Sequence, residues 1–525
     1  MLKKQRLILA GASVAGVLVL YGAAAYWSGL KAEETLAEQH KMLSQLPFFK
    51  VKSHVYERGW FTSTETTELV FNRKLFAPYE SLMPDNVRPL LNRTIRYTHT
   101  VRHGPLPGLT EGHFQPARAL VTTEFSMSDE TRRTLAKFFG DQPPITVVNR
   151  LGFGGGGELS VTVPAFDYEE TLSGVHMKWQ GFTLKVDYAS GYQEYKTDAS
   201  TPGFLLQAAT KGSLSLGPLR YLSDIRPGTT GVKLGTSELT VDAVGLNWKE
   251  AVPYSIKLNE LVFLLTRMRV GEFINPSGEL RPSNVALKKL RYQIVTSEQD
   301  SFINTRGKLD FETFRYNDQL YGPLRLDVSA NHLHGPTLVS LDKTISAIPV
   351  EGVDPAVLRQ RYLDTIKTEG LPLLENNPRL VINELYLKMP NGEARLTGNL
   401  GLQGFTRSDL DNPTAFLKRF NVEAKVDLPR RTLDDLVVAQ ARNLFTVDAS
   451  AEEQPSLEEI DNLALSLLDT QLAQWTEQGY LTQNQGQVAT EFVFRNGELR
   501  VRNHKVALPW EEADIAPGEP ASAAQ

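Results

Sequence analysis

The chain has 525 residues, 41% hydrophobic and 22% charged, with a formal net charge of −5 and no cysteine. The acidic balance argues against a nucleic-acid binder, which needs a basic face. Lack of cysteine excludes disulfides, thiolate catalysis, cysteine-held zinc and a lipidated N-terminal cysteine.

The first predicted element is a membrane anchor. Leu7 to Trp27 runs without a charge, preceded by Lys3, Lys4 and Arg6. As a helix it spans ~32 Å, close to the hydrocarbon thickness of a bilayer. Ala23 and Ala25 offer a small-residue pair for signal cleavage, but a cleavable signal has a shorter apolar region, so retention is favoured. Glu33 and Glu34 follow soon after the run. The positive-inside rule then makes residues 1–28 a cytoplasmic stub and transmembrane anchor and exports the bulk of the chain, into the periplasm if the organism has two membranes. Gly11, Ala12, Ala15 and Gly16 have small-xxx-small spacing, a face through which a homodimer could form.

Residues 29–47 read as a polar helix, a stalk or the first helix of the folded body, with Leu30, Leu36, Leu43 and Leu46 near one side and Pro47 stopping it. From Phe48 the apolar period becomes two. Ile95, Tyr97, His99 and Val101 alternate with polar residues, as do Phe182, Leu184, Val186 and Tyr188. Leu324, Leu326, Val328 and Ala330 repeat the pattern, and so do Phe420, Val422, Ala424, Val426 and Leu428. Such alternation marks antiparallel strands with one buried face. Asn391-Gly392 and Asn496-Gly497 sit between alternating runs as hairpin signals.

Helices interrupt the strands near Ser128–Phe139, 354–374, 430–446 and 456–478, the last opening with Ser456 and Glu459 in capping-box spacing. The expected organisation is a mainly β exported region at 48–350, a helical insertion at 351–375, and a β region with packed helices at 376–510. The tail, 511–525, reads as disordered. The fold class is mainly β (α+β): one transmembrane helix, then long curved antiparallel sheets with a few packed helices.

Chemical motifs are scarce. Gly152, Gly154 and Gly157 satisfy G-x-G-x-x-G, but Leu159, Val161 and Val163 follow at strand spacing, so a hairpin tip replaces the required helix. His332 and His334 share a strand face without a third ligand, Asp327 falling on the opposite face. The pairs Glu169-Glu170, Asp434-Asp435 and Glu458-Glu459 are neighbours that point apart, as solvated surface. No Gly-x-Ser-x-Gly elbow or His-Glu-x-x-His stretch occurs. The sequence thus assigns no catalytic, cofactor-binding or metal-binding residue. The aromatics of Gly59-Trp60-Phe61 are expected to enter a Thr-rich strand as sheet interior, or to line an open apolar groove for acyl chains.

Arg58-Gly59-Trp60-Phe61-Thr62-Ser63 is similar to the R-G-x-F-S-S segment of the YdgA-like bacterial inner-membrane proteins, a family of unknown function. His103-Gly104-Pro105-Leu106-Pro107 is close to its H-G-P-F-P, and Leu151-Gly152-Phe153 resembles its I-G-Y. The 376–402 and Phe494–Gly497 hairpins also correspond. The glycine run at 154–157 and a longer polar tail depart from the pattern. The resemblance implies a bacterial inner-membrane anchor with a cytoplasmic N-terminus and an exported, mostly β body in the periplasm, and transfers no catalytic residue. Gly59 suits a strand entry beneath two aromatics; Gly104 and Pro105 suit a corner that ends pairing. His334-Gly335-Pro336 echoes the second motif after another alternating run.

The function expected from these features is non-catalytic: an envelope protein that binds lipid or another envelope component. The alternatives are an assembly scaffold, dimeric through its anchor, and an envelope hydrolase.

Overall fold

The computed structural model describes residues 2–44, 49–72, 91–109, 112, 114–170, 172–249, 283–348, 355–444 and 456–508, with side chains in the first helix from residue 19 onward. The anchor face of Gly11, Ala12, Ala15 and Gly16, and the tail at 511–525, lie outside what is described at side-chain level. The molecule is mainly β, antiparallel throughout its described pairings, and divides into two compact units.

Unit 1 holds Met1–Pro227, Lys233–Tyr254 and Pro349–Leu358. Its strands are β1 (Phe49–Glu57), β2 (Thr62–Phe71), β3 (Thr94–His103), β4 (Ala119–Ser126), β5 (Thr146–Leu151), β6 (Gly157–Val163), β7 (Phe166–Glu170), β8 (Val175–Trp179), β9 (Phe182–Tyr188), β10 (Tyr195–Thr201), β11 (Phe204–Ala208), β12 (Gly212–Leu216), β13 (Leu219–Pro227) and β14 (Lys233–Trp248). They pair in the order β1-β2-β3-β4-β5-β6-β9-β10-β13-β14-β12-β11-β8-β7. The long helix α1 (Leu2–Ser44) lays its later turns on this sheet. Ala25, Gly29, Ala32, Leu36 and His40 recur at the three- and four-residue steps of one helical face. Ala32 and Leu36 pack in a core with Val101, Ala119, Val121, Leu151 and Tyr188. Of the expected leucine stripe only Leu36 is fully buried, Leu30 and Leu43 being half-buried and Leu46 outside the described residues; the rest of the buried face is small residues, which brings the helix backbone down onto the strands. Helix α2 (Asp129–Phe139) starts where Ser128 accepts from the Thr131 amide at 3.2 Å and stops at Gly140, whose φ is +60°.

Unit 2 holds Gly228–Val232, Ser255–Ile348 and Arg359–Gln525. Its strands are β15 (Ser283–Gln299), β16 (Phe302–Phe311), β17 (Thr313–Tyr316), β18 (Gln319–Tyr321), β19 (Leu324–His334), β20 (Arg379–Met389), β21 (Gly392–Leu402), β22 (Phe420–Pro429), β23 (Thr482–Asn484), β24 (Gln487–Arg495), β25 (Glu498–Val501) and β26 (His504–Val506). The ladder runs β15-β16-β19-β20-β21-β22-β24-β25-β26. Helices α3 (Gly335–Ala347), α4 (Pro355–Glu369), α5 (Leu371–Glu375), α6 (Pro413–Lys418), α7 (Arg430–Leu444) and α8 (Leu457–Glu477) interrupt the strands, α4 entering this unit at Arg359. The single helix expected over 354–374 is two, broken at Gly370 just before Pro372. Leu472 of α8 meets Leu481 and Val488, with Leu433 of α7 beside them. At Asn496-Gly497 both residues have positive φ, +53° and +81°, and Arg495 pairs with Glu498. At Asn391-Gly392 the turn is displaced by one: Met389 pairs with Gly392, so Pro390 and Asn391 form the loop.

Candidate functional site

The three segments quoted for their family likeness come together around residues 21–35 of α1. Gly59 makes the turn into β2 so tightly that a Cβ there would stand 2.1 Å from the Thr62 carbonyl oxygen. That turn puts Trp60 and Phe61 outside the strand, 59% and 51% exposed, with the Trp60 indole N–H donating to the Gly22 carbonyl at 3.2 Å. Tyr26 packs on Trp60 at 5.1 Å between ring centroids, and Trp27 beside it is 53% exposed. Arg58 Nε donates to Glu33 at 2.7 Å. The sheet-interior expectation for Trp60 and Phe61 is thus corrected. Both precede Thr62, where β2 begins, and the turn leaves them facing out around the helix.

Polar residues take the place inside. Ser63, Glu65 and Thr67 share the buried face of β2 with Leu69. Ser63 Oγ lies 3.1 Å from His103 Nε2, and His103 Nδ1 lies 3.0 Å from the Ala25 carbonyl oxygen. A carbonyl only accepts, so Nδ1 carries the proton and Nε2 accepts from the Ser63 hydroxyl. Burial lowers the His103 pKa against the opposing pull of the Ala25 bond, which keeps the ring neutral. A serine bonded to an oriented histidine is how nucleophiles are activated. Here both side chains are buried and α1 covers the ring: a Cβ on Gly29 would sit 2.7 Å from its Cε1. The pair acts as a clamp on the helix.

Gly104, at φ +139°, lets the chain turn under α1, where an added Cβ would be 3.3 Å from the Ala25 Cβ. Tyr21 donates to the Leu106 carbonyl at 3.3 Å, just beyond Pro105. Buried Arg118 donates to Thr35 Oγ1 at 3.3 Å and to the carbonyls of Lys31 and Phe153. Gln39, Asn149 and Tyr188 close a further hydrogen-bonded triangle between the helix, β5 and β9.

One turn further along the helix lies a second cluster that sequence reading missed. His40 of α1, His54 of β1 and Glu65 of β2 present ligand atoms that all lie within 4.8 Å of one another. The two rings stack at 3.7 Å, and His54 Nε2 is 2.7 Å from Glu65 Oε1. Glu65 is 3% exposed, and burial raises its pKa while the His54 bond pulls it down. Burial and then His54 lower the His40 pKa. His99, opposite Glu65 in the register and bonded to Thr123 at 2.8 Å, is held down to about 4 by burial and then by His54. A signal existed: once Gly59 is read as the turn, His54 and Glu65 fall on one face of a hairpin.

The other flagged residues supply no side chain to either cluster. Gly152 to Gly156 form the turn between β5 and β6, with the Gly152 amide donating to the Gly156 carbonyl at 2.7 Å. His332 and His334 both lie against Phe302, but their Nδ1 atoms are engaged by the Asn376 carbonyl and Thr337 Oγ1. The second His-Gly-Pro ends β19 as the first ends β3, yet leads into α3 instead of a corner. Among the described residues no helix is long and apolar enough to cross a membrane; the side chains of residues 2–18 lie outside them.

The chain matches, over residues 2–509, the family described as bacterial protein of unknown function, DUF945, and it belongs to that family. No curated protein matches it significantly.

Proposed function

We propose that this DUF945 member is a non-catalytic envelope protein, anchored in the bacterial inner membrane by Leu7–Trp27, with its bulk in the periplasm and its aromatic collar in contact with lipid. The observation that carries this reading is the ring of Tyr26, Trp27, Trp60 and Phe61, exposed where the charge-free run ends. Tryptophan and tyrosine concentrate at the membrane–water boundary, where an apolar ring and a polar edge are both accommodated. Large apolar groups exposed to bulk water would otherwise be a liability. The finer likeness to YdgA-like proteins supports the same placement. The clamp of Ser63 and His103 supports a structural role for the motifs, because their polar atoms are spent on each other, on the Gly59 amide and, through His103 Nδ1, on the helix.

Two measurements on the full-length protein test the proposal. C-terminal reporter fusions should be active only on the periplasmic side. Photoreactive phospholipid in inner-membrane vesicles should crosslink to the peptide carrying Trp60 and Phe61, and Trp60→Ser with Phe61→Ser should abolish that crosslink. A cytoplasmic C-terminus refutes the topology; a periplasmic one without the crosslink refutes the collar.

A further inference from the structure

We infer that His40, His54 and Glu65 form a binding site for a late first-row divalent cation, Zn2+ in the first instance, that straps α1 to the β1–β2 hairpin. Three elements deliver the ligands: the helix, the first strand and the second, with every ligand atom within 4.8 Å of the others. Tetrahedral zinc with bonds of about 2.1 Å holds its ligand atoms about 3.4 Å apart. Binding would turn the two rings out of their stacked arrangement and spread His54 and Glu65 from 2.7 Å, as their hydrogen bond is exchanged for metal bonds.

The donor set determines the class of ion. Two imidazole nitrogens and one carboxylate suit zinc and its neighbours, whereas magnesium and calcium prefer oxygen throughout. Glu65 is an anion-forming group buried to 3% exposure, and stacked imidazoles 3.7 Å apart gain no hydrogen bond from each other. A shared cation would neutralise the first and give each ring of the second pair an in-plane metal bond to one of its nitrogens. His54 reaches the surface, which gives the ion a way in, and three protein ligands leave a fourth position for water.

The test uses full-length protein in detergent, stripped with chelator and titrated with Zn2+. Wild type should take up one equivalent, and Co2+ in its place should give the visible absorption of a tetrahedral site. His40→Ala and Glu65→Gln should each weaken uptake at least tenfold, and His54→Gln, altered at the surface, should do the same with unchanged circular dichroism. Zinc should also slow hydrogen exchange in α1 of the wild type but not of His40→Ala. Absence of stoichiometric uptake by the wild type overturns the inference. So does uptake that survives both the His40 and the His54 substitution.

Discussion

Gly29→Ala separates helix propensity from tertiary packing, because the two predict opposite signs. In an isolated helix the substitution stabilises by about 1 kcal/mol. In this fold the new Cβ would meet three atoms of the His103 ring, at 2.7, 2.8 and 3.0 Å. The ring cannot swing aside without surrendering its bonds to Ala25 and Ser63. Losing two hydrogen bonds costs about 1 kcal/mol each, and crowding a packed site costs a further 1 kcal/mol or so. Against the propensity gain, a net loss of about 2 kcal/mol remains, or roughly 30-fold in the local opening equilibrium. Hydrogen exchange of full-length protein in detergent, followed in peptides from residues 28–44, should speed up by that factor. In a His103→Ala background the same change should slow exchange, since the obstacle is gone. Unchanged or slower exchange in the otherwise wild-type chain would refute the clamp.

Three further outcomes are expected. With chelator present, His99 binds a proton near 6.5 when unfolded and near 4 when folded, so the unfolded chain takes up more protons between those values. Stability is therefore complete above the upper value and falls by about 3 kcal/mol as pH drops through the lower one; His99→Leu should flatten that slope in exchange-monitored unfolding, and an unchanged slope would refute the assignment. The bond to Asp167 raises the pKa of His176, so its contribution is present below 6.5 and lost as pH rises through the raised value; Asp167→Asn should lower the midpoint seen by NMR, and a fixed midpoint would rule out the pair. Gly497→Ala should cost about 1 kcal/mol, because its φ of +81° disfavours a side chain; faster exchange confined to the β24–β25 hairpin is the expected reading, and no change would show that the turn tolerates a Cβ.

Alternation and punctuation are local properties, and they made most of the fold legible. Ile95, Tyr97 and Val101 read correctly as the inner face of β3, and Ser128 and Ser456 marked helix starts with the cap bonds the structure contains. Local rules were weakest where long-range contact overrode them. Trp60 and Phe61 continue into a strand by pattern, yet Gly59 turns them outward against Gly22 and Tyr26 of a helix far away in sequence. Asn391-Gly392 carries the same dipeptide as Asn496-Gly497, but the pairing of Met389 with Gly392 shifts its turn by one residue.

The sequence by itself determined the β character, the hairpin tips to within a residue and the charge-free N-terminal run, because each is written in neighbouring residues. Only the tertiary structure decided that the face of α1 lying on the sheet is made mostly of small residues, with Leu36 as its one fully buried leucine. The same packing joined His40 to His54 and Glu65, and His103 to Ser63 and Ala25. These partners are separated by tens of residues or lie on different strands, and only His54 and Glu65, across one hairpin, are linked by a spacing rule. Close approach of a glycine- and alanine-faced helix brings backbone carbonyls and imidazoles within bonding distance of the strands, and that proximity exists only once the chain has folded.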